Sequence, residues 1–339
     1  MEAKFILAIA IIGLVGSLPG RADSFGNGAN IFSIDFVPVA NAGNPDDAGA
    51  GGGTTSGLYG GVAYDYRISV TEVAADWIAK ASAVDLPLQR LVNVSTGPWT
   101  GSKPAAGVTW YEAAAFVNWL NTSTGHQAAY DLDSGATALA LWDPSVAWQL
   151  GGQNLYRHKD AWYFLPSEDE WYKAAYHKND GVTANYWDYP TASNTAPTAV
   201  ISGTAPVLGN GTAVFGSATT GATAPADVDV SGTLSGYGTR GQGGNLREWM
   251  ESAHDGVNDL TFVNEGRTTR GGSLQDTAGF LLSDDASRVD SEPGGSDAFV
   301  GFRIASVPEP SAAVLILIGG LLFLPRRRCR ISRGQTPAA

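Results

Sequence analysis

Few residues in this 339-residue chain could do covalent chemistry, and their placement narrows the options. The single cysteine, Cys329, lies in a terminal basic run, so the remainder can form no disulfide, no thiolate zinc site and no catalytic thiol. Four histidines, His126, His158, His177 and His254, are dispersed, and none forms the paired helical spacing that a metal usually takes. Loop or surface positions are expected for them. No G-x-S-x-G elbow ties a serine to a histidine, which argues against a serine hydrolase. Asp131 with Asp133, and Asp284 with Asp285, are acidic pairs, but acid/base work by two carboxylates depends on a separation that sequence spacing does not fix. Exposed loop carboxylates are the ordinary expectation there. Asn93, Asn121 and Asn210 head N-x-S/T triplets, which are common by chance.

The elements that must position any site are modest in size. Residues 31–39 and 62–70 are β-rich, the second with Tyr64, Tyr66 and Ile68 alternating against Asp65, Arg67 and Ser69. Between them, 41–61 is rich in Gly, Ala, Asn and Asp, so an antiparallel pair with a long connecting loop is expected. A short helix is expected over 72–83. The clearest helix opens at Thr109, where Glu112 three residues on completes a capping box, and Ala113, Phe116, Val117 and Leu120 form one apolar face. Ser167 and Glu170 repeat the device, with Trp171, Ala174 and Ala175 as the buried stripe. Residues 189–238 are mostly small and polar, but scattered Val, Leu and Phe215 suggest irregular loops lying on a core. Residues 241–249, 269–274 and 299–305 read as short strands and turns. Trp110, Trp119, Trp171 and Trp249 are expected in the core rather than on a ligand platform.

Composition agrees with a loop-rich aromatic core. Forty-three Gly, 17 Pro and only 16% charged residues exclude a coiled coil, a helical bundle and a charge-rich disordered tail. The net charge of -12 is unevenly spread: the terminal segments hold seven basic residues, leaving a body of 14 basic against 32 acidic residues, net -18. A body so acidic repels phosphate backbones, so no nucleic-acid partner is expected. Cations or neutral polymers suit it better.

Both ends read as addresses. Residues 1–22 have Lys4, an apolar stretch, Pro19-Gly20 and small residues before a cleavage after Ala22, the pattern of an export signal. At the other end, Pro308-Glu309-Pro310 precedes an apolar stretch over 312–324 and the cluster Arg326, Arg327, Arg328. That stretch is shorter than the ~20 residues that usually span a bilayer, and the arginines would keep its end cytoplasmic. The arrangement resembles the PEP-CTERM sorting signal of exopolysaccharide-producing Gram-negative bacteria. The resemblance implies a transient inner-membrane anchor, an exosortase-type sorting protease as partner, and a cell-surface or extracellular destination; a permanent anchor is the alternative. The expected organisation is a signal peptide at 1–22, a domain at 23–306, a sorting signal at 307–330 and a tail at 331–339.

Four motifs in order define the domain: Gly107 to Ala114, Phe164 to Trp171, the run Gly243-Gly244-Asn245-Leu246-Arg247-Glu248-Trp249, and Arg270-Gly271-Gly272-Ser273 followed by Gly301-Phe302-Arg303. Together they resemble the sulfatase-modifying-factor, or formylglycine-generating-enzyme-like, family from about residue 31 to 305. The resemblance implies an irregular α+β fold of the C-type-lectin-like kind, with few short strands, two to three helices and long loops. Oxidase members hold copper with two cysteines between the Gly-Gly-Ser and the Gly-Phe-Arg. Here residues 274–300 offer Gln275, Asp276, Phe280, Asp284, Asp285 and Arg288 but no cysteine. Soft Cu(I) selects thiolates, so no copper is expected. Another branch uses a three-histidine iron site, which the dispersed histidines do not suggest. The resemblance also implies a structural calcium, with Asn245 and Glu248 as oxygen ligands and carbonyls of Gly244 or Leu246 beside them; Glu248 paired with Arg247 or Arg270 is the alternative. A non-catalytic binding role toward extracellular polysaccharide or a matrix protein is therefore expected. The rivals are a cysteine-independent oxidoreductase using Ser273, Asp276 and Arg288, and a structural envelope protein.

Overall fold

The computed structural model describes residues 21–47, 49, 59–85, 99–201, 211–261, 265–284 and 289–308. In chain order the strands are β1 Arg21–Phe25, β2 Phe32–Val39, β3 Tyr66–Ser69, β4 Asp131–Leu132, β5 Leu139–Ala140, β6 Ala147–Trp148, β7 Asn154–His158 and β8 Tyr163–Phe164. They continue with β9 Thr198–Ala199, β10 Thr212–Ala213, β11 Arg247–Ala253, β12 Arg267–Arg270, β13 Val289–Ser291, β14 Val300–Phe302 and β15 Ala305–Ser306. The helices are α1 Ala75–Val84, α2 Trp110–Ser123, α3 Glu168–Tyr176 and a single turn, α4 Ser217–Thr220.

Two sheets organise these pieces. One has the order β1-β2-β3-β15-β8 and the other β13-β12-β11-β14, while β4 with β5, β6 with β7 and β9 with β10 form two-stranded ribbons. The chain passes from the second sheet to the first through Arg303 and Ile304, between β14 and β15. In β2 the residues Phe32, Ile34 and Phe36 are buried while Ser33 and Asp35 are exposed, the alternation of a strand with one face on a core. The expected antiparallel pairing of the β-rich stretches is present, with Val37 opposite Ile68. Strand β1, which begins inside the expected signal, pairs with β2 so that Asp23 lies opposite Ile34. Cleavage after Ala22 would leave Asp23 as the first residue, still within reach of Arg67 at 2.7 Å.

Helices α2 and α3 form where their caps dictate. Thr109 accepts from the Glu112 amide at 3.1 Å and the Glu112 carboxylate accepts from the Thr109 amide at 2.7 Å. Ser167 and Glu170 make the same reciprocal pair at 3.2 and 2.6 Å. The apolar face of α2 buries Ala113, Phe116, Val117 and Leu120, and the Phe116 ring meets Phe302 edge-on at 5.9 Å. Full burial of such a side chain is worth about 1.5–3 kcal/mol over exposure. Helix α1 starts at Ala75, three residues after the expected start, because Glu72 is drawn into a buried contact with Asn245 and Leu246. Trp110, Trp119, Trp171 and Trp249 are all buried, as expected. From 211 to 238 the small-residue stretch lies on the core, burying Ala213, Val214, Phe215, Ala226 and Val228.

The chain divides into two units, Met1–Val307 and Pro308–Ala339. Of the second only Pro308 is described; Glu309, Pro310, Arg326, Arg327 and Arg328 lie outside the described residues, as do most of the expected signal, Asn93, Asn210, Asp285 and Arg288. Among the described residues, no helix is long and apolar enough to cross a membrane. Because each capping box supplies two otherwise orphaned amides, Thr109→Ala and Ser167→Ala should each lower the unfolding free energy by about 1 kcal/mol in urea denaturation. Losses indistinguishable from zero would show that the caps do not hold these helices.

Candidate functional site

The Gly243-to-Trp249 motif is a tight turn feeding β11. Gly244 has φ +79, and a Cβ there would lie 2.3 Å from the Val214 carbonyl, so only glycine fits. Asn245 follows with φ +61 and is fully buried. Its side-chain oxygen accepts from the Ala226 amide at 2.8 Å, and its Nδ2 donates to Glu72 at 2.6 Å. Glu248 accepts from Arg303 Nε and Nη2, both at 2.6 Å, and from Trp171 Nε1 at 2.7 Å. The partner of Glu248 is thus Arg303, whereas Arg247 pairs with Asp276 and Arg270 with Glu168. Asn245 and Glu248 lie close in the chain but do not present an oxygen shell to a cation. A guanidinium already occupies both carboxylate oxygens, so the residues do not fit the expected calcium site. Among the described residues no group of three His, Cys, Asp or Glu side chains could hold a metal ion. Burial, reinforced by the neighbouring Glu248, pushes the Glu72 carboxyl well above the usual range. Sequence reasoning took Glu72 only as a helix start and missed it, since its partners are more than 170 residues away.

In the segment after Ser273, Asp276 forms an ion pair with Arg247. Asp276 accepts from the Ser273 amide at 2.7 Å, from the Ser273 hydroxyl at 2.9 Å and from Arg247 at 2.8 Å. Ser273 and Asp276 do come together, as a turn lock. The Asp284 carbonyl accepts from Arg270 at 3.0 Å. The histidines remain apart: His126 stacks on Trp162 at 4.7 Å, His158 meets Trp142 edge-on, and His177 shares a buried hydrogen bond with Tyr237 at 3.0 Å. Asp133 locks its own turn by accepting from the Thr137 and Ala138 amides, which hold its carboxyl below the ordinary value. Asn121 is fully buried and donates to the Tyr163 carbonyl at 2.7 Å, so its triplet is structural.

A cleft of about 220 Å³ lies between residues 61–64 and the turn at 150–154, lined also by Trp148, Arg157, Ser167, Asp169 and Asn258. Arg157 is fully buried, its guanidinium 3.6 Å from the centre of the Phe164 ring. It donates to Glu170 at 2.9 and 3.0 Å and to Glu251 at 2.7 Å. Tyr64 donates to Glu170 at 2.7 Å, and Tyr130 and Asn154 donate to Glu251 at 2.9 and 2.5 Å. Burial opposes the charge on all three. Arg157 outweighs it at Glu170, whose carboxyl stays below the ordinary value, while burial wins at Glu251, which is raised. One guanidinium thus serves two carboxylates. Asp169, half-buried on the wall, accepts from the Gly60 amide at 3.0 Å. Burial, opposed by that amide and aided by Asp46, pushes its carboxyl up to about 7. The sequence shows Asp169 only as one of three acids at a helix start, and nothing local marks Arg157 or Glu251, which stand 94 residues apart.

The chain belongs to the sulfatase-modifying factor enzyme 1-like domain family, whose model matches residues 65–307. The β1-β2 hairpin therefore precedes the matched region. No curated protein matches the chain in sequence. Among solved structures it is similar to Treponema denticola variable protein 1, at 20% identity over 85% of this chain and 99% of that one, with a TM-score of 0.56. It is also similar to CarF, at 20% identity over 81% of this chain and 99% of that one, with a TM-score of 0.53. Identity this low establishes the fold: an α+β architecture of the C-type-lectin-like kind.

Two measurements follow from this geometry. Glu248→Ala leaves Arg303 buried without its counter-charge, which should cost about 3–5 kcal/mol, whereas a chelator should leave the melting temperature of the unaltered protein unchanged. A chelator-dependent drop would restore the cation. For Asp169 the folded chain keeps its proton up to about pH 7 while the unfolded chain loses it in the ordinary aspartate range. Its contribution to stability therefore falls as pH rises from about 4 to about 7 and then levels. Asp169→Asn, whose carbonyl still accepts from Gly60, should remove that fall; equal pH slopes of melting temperature in variant and parent would contradict the shift.

Proposed function

We propose that the protein is an exported binding module on a formylglycine-generating-enzyme-like scaffold, without oxidase chemistry, that engages extracellular polysaccharide or another matrix component. The observation that carries this reading is the cysteine count: Cys329 is the sole cysteine, and it stands in the C-terminal basic run rather than in the domain. A copper-dependent thiol oxidation needs soft ligands in the segment after Ser273, where the chain supplies Asp276 already paired with Arg247. What the fold offers instead is a scaffold with long loops and an acidic body, which suits recognition of neutral or cationic polymers and not of nucleic acid.

Delivery completes the reading. The segment 1–22 directs export, and Pro308, Glu309 and Pro310 with the Arg326, Arg327, Arg328 cluster form a sorting signal processed by an exosortase-type protease. The domain is then released to, or held at, the cell surface. A sulfatase peptide incubated with the purified protein, copper and oxygen should keep its cysteine mass, while extracellular matrix polysaccharide should bind saturably. Formation of the aldehyde would replace this reading with an oxidoreductase; absence of any saturable ligand would leave a structural envelope protein. Mass spectrometry of the mature protein should find a C-terminus near Pro308, and an intact Ala339 terminus would refute the sorting step.

A further inference from the structure

The 220 Å³ cleft is smaller than the ~300–1,000 Å³ typical of sites for drug-sized ligands, so it has room for one ring-sized unit. Its charges do not balance. Arg157 and Asp169 are the charged residues that line it, and the positive charge of Arg157 is already divided between Glu170 and Glu251. Asp169 uses one oxygen to accept from Gly60, and among the described residues no cationic side chain pairs with it. Asp46, bound to the next amide at Gly61, adds negative charge alongside. A half-buried carboxyl beside an open cleft, which holds its proton up to about pH 7, ionises more readily when a cation enters, because attraction across a partly desolvated site exceeds that in water.

We propose that this cleft binds a protonated amino group carried on a saccharide unit, with the ammonium against Asp169. The inference rests on the polysaccharide-binding reading and adds to it the chemistry of the unit recognised. The walls favour a sugar over a lysine side chain. Small and polar groups line the space, Gly61, Gly151, Gly152 and the exposed Gln153 among them. Such groups suit a ring bearing hydroxyls, whereas a lysine stem needs an apolar sleeve. Tyr64 and Trp148, 5.5 Å apart edge to face, give the aromatic edge against which a ring can lie.

The test is a titration of the full chain at pH 7 with three β-1,4-linked trimers: glucosamine, N-acetylglucosamine and glucose. The glucosamine trimer should bind at least tenfold tighter than the other two. Asp169→Asn should abolish that preference, and Gln153→Arg, a change at an exposed position on the rim, should weaken glucosamine binding at least threefold without lowering the melting temperature. Equal affinity for the three trimers, unaffected by Asp169→Asn, would overturn the ammonium assignment while leaving polysaccharide binding in place. No binding of any trimer, with matrix polysaccharide also unbound, would overturn both. Binding of a lysine peptide through Asp169 with no trimer bound would overturn the saccharide assignment.

Discussion

The Arg303 guanidinium is the contact on which the two sheets depend. It sits where the chain leaves β14 for β15, and it donates to the carbonyls of Ser69, Val70 and Arg240 as well as to both oxygens of Glu248. Those acceptors come from the end of β3, a loop and β11, so one side chain fastens three separate parts of the chain to the sheet junction. The backbone reinforces it: the Ser69 amide donates to the Ile304 carbonyl, and the Val73 amide to the Phe302 carbonyl. Removing such a charge from water costs several kcal/mol, which is recovered only when its donors find acceptors in good geometry. Arg303 meets that condition, and it fills the place where a cation bound by Glu248 would have to sit.

Arg157 repeats the solution on the other side of α3. Its fork bridges Glu170 of the helix and Glu251 of β11, and its flat face lies on Phe164. Arginine suits both places because its planar donors match carboxylates bidentately while its faces tolerate aromatic contact. In a chain with so little regular structure, buried loop amides need side-chain partners. Asn121 accepts from Trp162 and Tyr163 amides, and Asn44 donates to the Gly60 carbonyl. Buried guanidinium and amide groups thus do the work that disulfides do in other loop-rich domains.

What could be read from the sequence follows the range of each interaction. The boxes at Thr109 and Ser167 were visible because cap and partner are three residues apart, and the apolar faces they start are periodic. The β2 alternation was visible for the same reason. Glu72 misled, since its pull toward Asn245 delays the helix and has no local signature. Asn245 and Glu248 stand out as a spaced pair, yet spacing cannot say whether a carboxylate meets a metal or a guanidinium 55 residues further on. The cleft was invisible altogether: Tyr64, Trp148, Asp169 and Asn258 come from four separate stretches and converge only in the fold.

These ranges also separate fold from chemistry in this family member. The contacts that hold the sheets, from Gly244 in its left-handed turn to Arg303 at the junction, lie within residues 65–307, the region that the family model matches. The segment after Ser273 is different, because its Asp276 binds Arg247 and the Ser273 backbone and so closes the turn with hard oxygen rather than sulfur. A carboxylate locked in that way is neither a soft ligand nor a free base. Asp169, which lines the cleft with Arg157, accepts from the Gly60 amide instead.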